Sequence, residues 1–81
     1  MRAQLVQALD NLETVLGKAG LDLSHVVRLN YTTDVDSLFE SYDAVTSRLT
    51  EAGARVSSTL LGVTRLALPS LLVEIEATAA A

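Results

Sequence analysis

Between Leu71 and Thr78 the chain alternates without a break: Leu71, Val73, Ile75 and Ala77 take one parity, Leu72, Glu74, Glu76 and Thr78 the other. Period-two alternation with acids on a single parity describes a strand buried on one face only. Such a strand needs neighbours in a sheet and an apolar layer against one side. It also commits two carboxylates to one shared surface. Pro69 precedes this run, and a second stretch rich in Leu, Val and Thr, 56–66, lies before the proline. Two strand-like runs around a turn residue predict a hairpin over 56–66 and 71–79.

Upstream, Leu5, Leu9, Leu12 and Leu16 recur at steps of four, three and four, with Ala8 and Val15 beside them. They form one stripe of a helix over 2–19, stopped by Gly20. Val27, Leu29 and Tyr31 then alternate with Val26, Arg28 and Asn30 in a predicted strand over 25–33. Asp34 to Ser37 offers N-caps for a second helix that runs to Ala52, with Leu38, Tyr42, Val45 and Leu49 as its stripe. The order helix, strand, helix, strand, strand predicts an α+β two-layer fold. It contains a parallel pair joined by a right-handed crossover, an antiparallel last strand, and both helices on one face. Leu60, Leu66 and Leu72 are expected to make the bare face partly apolar. The whole chain, 1–81, reads as a single domain. Because Met1 sits directly on the first helix, that domain is expected to be truncated at its amino terminus.

A chain of this size buries roughly 60% of its unfolded surface or a little more. Yet 49% of its 81 residues are hydrophobic, and its mean hydropathy is +0.35. The surplus predicts self-association. No cysteine is present, which excludes disulfides, thiolate metal sites and thiol nucleophiles. One histidine, His25, gives no basis for a transition-metal site, and no cofactor is expected. Six basic residues stand against ten acidic ones, for a net charge of −4. Nucleic acid wants clustered Lys and Arg, so it is not an expected partner. The apolar stretch 59–81 is interrupted by Arg65, Pro69, Glu74 and Glu76, too many breaks for a membrane span. The first residues also lack the apolar core of a secretory signal, and a cytoplasmic protein is expected.

Glu74 and Glu76 lie close enough along a strand to influence each other's ionisation, which suits acid–base work. The plain alternative is a solvated face, or ion pairs with Arg65 or Arg28. Ser58 and Thr59 can hydrogen-bond a small ligand's carboxylate or carbonyl, or simply begin a strand. Arg28 and Asn30 share the parity opposite Leu29 and can line a cleft. Gly62, read as mid-strand, predicts close approach by a ligand or a neighbouring subunit.

The segments QALDNLETVLGKAGLDLSHVVRLNYTTDVDSLFESYDAV and GVTRLALP…LLVEIEATA, in this order, resemble the carboxy-terminal part of the reactive intermediate deaminases. This is the RidA family, also called YjgF or L-PSP endoribonuclease-like. The resemblance implies a chorismate-mutase-like sheet and a homotrimer with ligand clefts between subunits. It also implies hydrolysis of enamines and imines, such as 2-aminoacrylate, to a 2-keto acid and ammonia. By the same resemblance Glu74 takes the place of a glutamate that handles the attacking water. The family's Pro-Ala-Arg-Thr falls on Val56-Ser57-Ser58-Thr59, so Ser58 stands where an arginine would hold the substrate carboxylate. Arg55 lies three residues earlier and is not aligned with that position. The strands that family members carry ahead of this first helix have no counterpart.

The expected site is therefore Glu74 as the water-handling acid, with Ser58, Thr59 and Arg28 as ligand contacts. The expected partners are copies of the chain itself, as a homotrimer, and a small 2-keto or imino acid. Three readings follow: a ligand-binding protein with little or no deaminase activity, an active enamine hydrolase, or a truncated structural module without a site.

Overall fold

In the computed structural model, which describes Met1 to Ala81, the leucine stripe becomes helix α1 (Arg2–Lys18), with Leu5, Leu9 and Leu16 buried. Its end is set by Gly20 at φ +74°. There the Leu21 N–H donates to the Leu16 carbonyl at 2.9 Å and the Gly20 N–H to that of Gly17 at 3.1 Å. A residue without a Cβ takes this left-handed turn at little cost, so the helix stops where glycine stands. A short 3-10 turn (Leu23–His25) follows. Asp22 and His25 cap it reciprocally, with the Asp22 N–H donating to His25 Nδ1 at 3.0 Å and the Ser24 N–H to Asp22 at 2.9 Å. His25 is a capping residue.

Strand β1 (Val26–Thr33) leads into two helices, α2 (Val35–Glu40) and α3 (Asp43–Ala52), where one was expected. The break falls at Ser41 and Tyr42. Phe39, Ser41, Tyr42 and Asp43 are all mediocre helix formers. The backbone there tightens to three-residue bonds, Ser41 N–H to Leu38 and Ala44 N–H to Ser41, both at 3.0 Å. The predicted stripe survives the break, because Leu38, Val45 and Leu49 are all buried. Tyr42 sets its ring edge-on to Tyr31, with centroids 5.9 Å apart.

The sheet has the order β2-β1-β3, with β2 at Ser57–Gly62 and β3 at Val73–Ala79. β2 runs parallel to β1, and β3 runs antiparallel to it. The parallel pair is as predicted; the hairpin is not. β2 and β3 flank β1 and never pair with each other. Pro69 does make a turn, closed by the Leu71 N–H on the Leu68 carbonyl at 3.0 Å with proline at the second position. That turn lies inside a connection, 63–72, long enough to carry the chain across β1 to its other edge. The helices supply the reason. α1 packs over β3, and only there do Val73, Ile75 and Ala77 give its leucine stripe a floor.

β1 also departs from simple alternation. Val26 faces Ala79 and Arg28 faces Thr78, so Val27 is an extra residue in a bulge. The bulge shifts parity, burying Val26 and leaving Val27 47% exposed, the reverse of the expected faces. All helices lie over one side of the sheet, in the two-layer α+β arrangement. Arg2 pairs with Asp43 at 2.6 Å, and Arg48 bridges Asp10, also at 2.6 Å, and Glu13, tying α1 to α3. No helix is long and apolar enough to cross a membrane.

Candidate functional site

Register and alternation together assign every strand residue to a face. On the helix side stand Leu29, Tyr31 and Thr33 of β1, opposite Ser58, Leu60 and Gly62 of β2. The open face carries three rows: Ser57–Arg28–Thr78, Thr59–Asn30–Glu76 and Leu61–Thr32–Glu74. Within these three rows Leu61 is the one large apolar side chain, and the bulged Val27 is exposed beyond them. The leucines expected there are elsewhere. Leu60 packs half-buried on the helix side, Leu66 is buried in the connection, and Leu72 precedes β3. Parity misassigned Leu60, and a strand drawn too long misplaced the other two.

Glu74 sits in the outermost row beside Thr32. It borders a depression of about 360 Å³ lined by Thr32, Glu74, Ile75 and Glu76. The two acids differ in their partners. Glu76 accepts a hydrogen bond from Asn30 Nδ2 at 3.2 Å, whereas Glu74 has neither a side-chain hydrogen bond nor an ion pair. Arg28 and Arg65 pair with neither acid; the ion pairs of the chain belong to Arg2, His25 and Arg48.

The other expected contacts divide. Thr59 and Arg28 share the open face with Glu74. Arg28 stands four positions along β1 from Thr32, roughly 13 Å away at strand rise. Ser58, one residue from Thr59, turns to the helix side. β2 and β3 are two strand spacings apart, roughly 10 Å. Within one chain Glu74 and Ser58 are therefore separated by the width of β1 and lie on opposite faces. Glu74 and Thr32 are brought together; Glu74 and Ser58 are not. Gly62 ends β2, and a Cβ there would meet Val35 at 3.5 Å, an ordinary contact from α2 of the same chain. No cluster of three or more His, Cys, Asp or Glu side chains forms a metal-binding group.

Tyr31 is wholly buried, and its hydroxyl makes no hydrogen bond of good geometry. Burial, reinforced by nearby Tyr42, pushes its ionisation well above the ordinary phenol range. Asn30 Oδ1 is likewise without a donor. Thr32 and Gln4 were not singled out from sequence. Thr32 was legible, since it shares the parity of Asn30. Gln4 touches residues 70 and 72, a contact that no local pattern announces.

Comparison with known proteins places this geometry. The family model Endoribonuclease L-PSP matches residues 1–81. Among solved structures, Rv2704 of Mycobacterium tuberculosis, a member of the YjgF/YER057c/UK114 family, is 37% identical with a TM-score of 0.79, covering 91% of this chain and 62% of that one. The Rid-family protein YyfB of Yersinia pestis is also 37% identical, with a TM-score of 0.78 and coverage of 90% and 56%. Escherichia coli TdcF, at 22% identity and a TM-score of 0.81, shares the fold, with coverage of 91% and 59%. The curated proteins give no match. This chain thus spans less than two thirds of the length of these structures, over the chorismate-mutase-like part they have in common. With residues 1–81 all inside the match, the chain belongs to the Endoribonuclease L-PSP family, the YjgF or Rid proteins.

Proposed function

We propose that this chain is a cytoplasmic RidA-like protein that binds a small 2-keto or imino acid in a cleft between copies of itself, as a homotrimer. The observation that carries this reading is the free carboxylate of Glu74 at the edge of the 360 Å³ depression, while its neighbour Glu76 is engaged by Asn30. An unpaired carboxylate in a depression can orient a water molecule and accept its proton. The ligand's own acid needs donors, and Ser58 and Thr59 offer two hydroxyls on the far edge strand. Since Glu74 and Ser58 cannot meet within one chain, the cleft takes Glu74 from one copy and the Ser58–Thr59 edge from another. TdcF, alike in fold, holds a bound serine, an acid of the size proposed.

Serine hydroxyls hold a carboxylate less firmly than a guanidinium fork does. This chain therefore binds its ligand weakly and turns over enamines slowly or not at all. Calorimetric titration with 2-oxobutyrate is the test. The unaltered protein should bind, Glu74→Gln should lose binding or turnover, and Ser58→Arg should tighten binding about tenfold through added charge-assisted hydrogen bonds. Ammonia release from freshly generated 2-aminoacrylate, compared with buffer, then separates a binding protein from an active hydrolase. No binding by the unaltered protein would leave a module without a site.

A further inference from the structure

The connection 63–72 has no ladder of its own, yet it must deliver the chain to β3 in one register. A slip of a single residue would turn Glu74 from the open face to the helix side. Two side chains hold the point of entry. The Gln4 side chain donates from Nε2 to the Ser70 carbonyl at 2.9 Å and accepts the Leu72 N–H on Oε1 at 2.8 Å. Thr33 Oγ1 donates to the Leu72 carbonyl at 2.8 Å. Both polar groups of the Leu72 backbone are thus bonded by side chains, one from α1 and one from the end of β1. Thr33 is buried, so its hydroxyl has no water to turn to.

From this arrangement we infer that Gln4 is a positioning residue for Glu74. Its amide acts as a one-residue substitute for a strand partner, pairing with residues 70 and 72 just before the true ladder begins at Val73. It thereby fixes the register in which Glu74 meets Thr32. A methionine would fill the same space without either bond. A glutamate would keep the acceptor for Leu72 and lose the donor for Ser70. The inference rests on the reading of Glu74 as the site acid, and its test separates the two.

The experiment compares the full chain with Gln4→Met and Gln4→Glu by NMR. In Gln4→Met the Leu72 amide should exchange about tenfold faster, the effect of a lost hydrogen bond, while the amides of β1 keep their rates. The Glu74 carboxyl carbon signal should move and that of Glu76 stay. Gln4→Glu should recover most of the Leu72 protection. Equal acceleration of Leu72 and β1 amides, or an unmoved Glu74 signal, would overturn the inference. Should Gln4→Met fail to fold, Thr33→Val removes the other half of the clamp and must move the same Glu74 signal. Failure of the unaltered chain to bind 2-oxobutyrate would overturn the proposed function and leave the clamp intact. Binding retained with Glu74 unmoved in Gln4→Met would do the opposite.

Discussion

The two edge strands flank the same central strand, and they are held in different ways. β3 is roofed by α1, and its inward residues Val73, Ile75, Ala77 and Ala79 all join the core. β2 has every residue exposed except Leu60, which is half-buried. It relies on its ladder to β1 and on light contact from α2. The acid of the candidate site rides on the covered edge and its hydroxyls ride on the bare one. A bare strand bearing Ser57, Ser58 and Thr59 is the edge that gains most from a second copy. The difference teaches that packing within the chain places Glu74, whereas the chain leaves Ser58 uncovered.

Substitutions can break this contrast most forcefully by charge. Val73→Asp puts a carboxylate under α1 and should cost about 4 kcal/mol, enough to unfold so small a domain, whereas Thr59→Asp on β2 should change the stability of the single chain by no more than about 0.5 kcal/mol. Urea denaturation at several protein concentrations reads both and separates any contribution of association from that of folding. Truncation gives a milder version. Val73→Ala should lose about 2 kcal/mol and Leu60→Ala about 1 kcal/mol in the same assay. Equal losses would mean that β2 is as well packed as β3.

Tyr31 joins the two edges beneath the central strand and sharpens the contrast through pH. Burial holds its ionisation above the ordinary value of 10.0. Above that pH the unfolded chain releases a proton that the folded chain keeps. This contribution is whole below about pH 10 and is lost as pH rises beyond it. Tyr31→Phe removes a buried hydroxyl without a partner. It should leave stability unchanged or raise it by about 1 kcal/mol, and it should flatten the alkaline fall in a pH series of thermal melts. The smallest effect lies on the helix layer. The hydrogen bond from Arg2 holds Asp43 below the usual carboxylate range. Its contribution is present above about pH 4 and fades as pH falls through the lowered value. Asp43→Asn should shift only the acid limb of the same series.

Most faces were legible in the sequence and neighbours were not. The alternation of 71–78 put Glu74 and Glu76 on one surface, and the leucine steps put Leu5, Leu9 and Leu16 in the core, because periodicity is a local property. Strand order is not local. Pro69 looked like the tip of a hairpin because the sequence between 63 and 72 does not say which edge of β1 the chain will reach; α1 decides that. The bulge at Val27 reversed two residues for a similar reason, since the extra residue is visible only against its partner. The same limit governs the candidate site. Aligning Ser58 with a ligand position was possible from sequence, but finding it on the face opposite Glu74 required the register of β2 against β1.

The claim on which this account turns is that the site is completed between copies. Light scattering on the purified chain at micromolar concentration measures it directly. A homotrimer with shared sites would give a molar mass three times that of the 8.6 kDa chain, falling with dilution together with 2-oxobutyrate binding. A stable 8.6 kDa species that unfolds cooperatively and still binds the acid would contradict it.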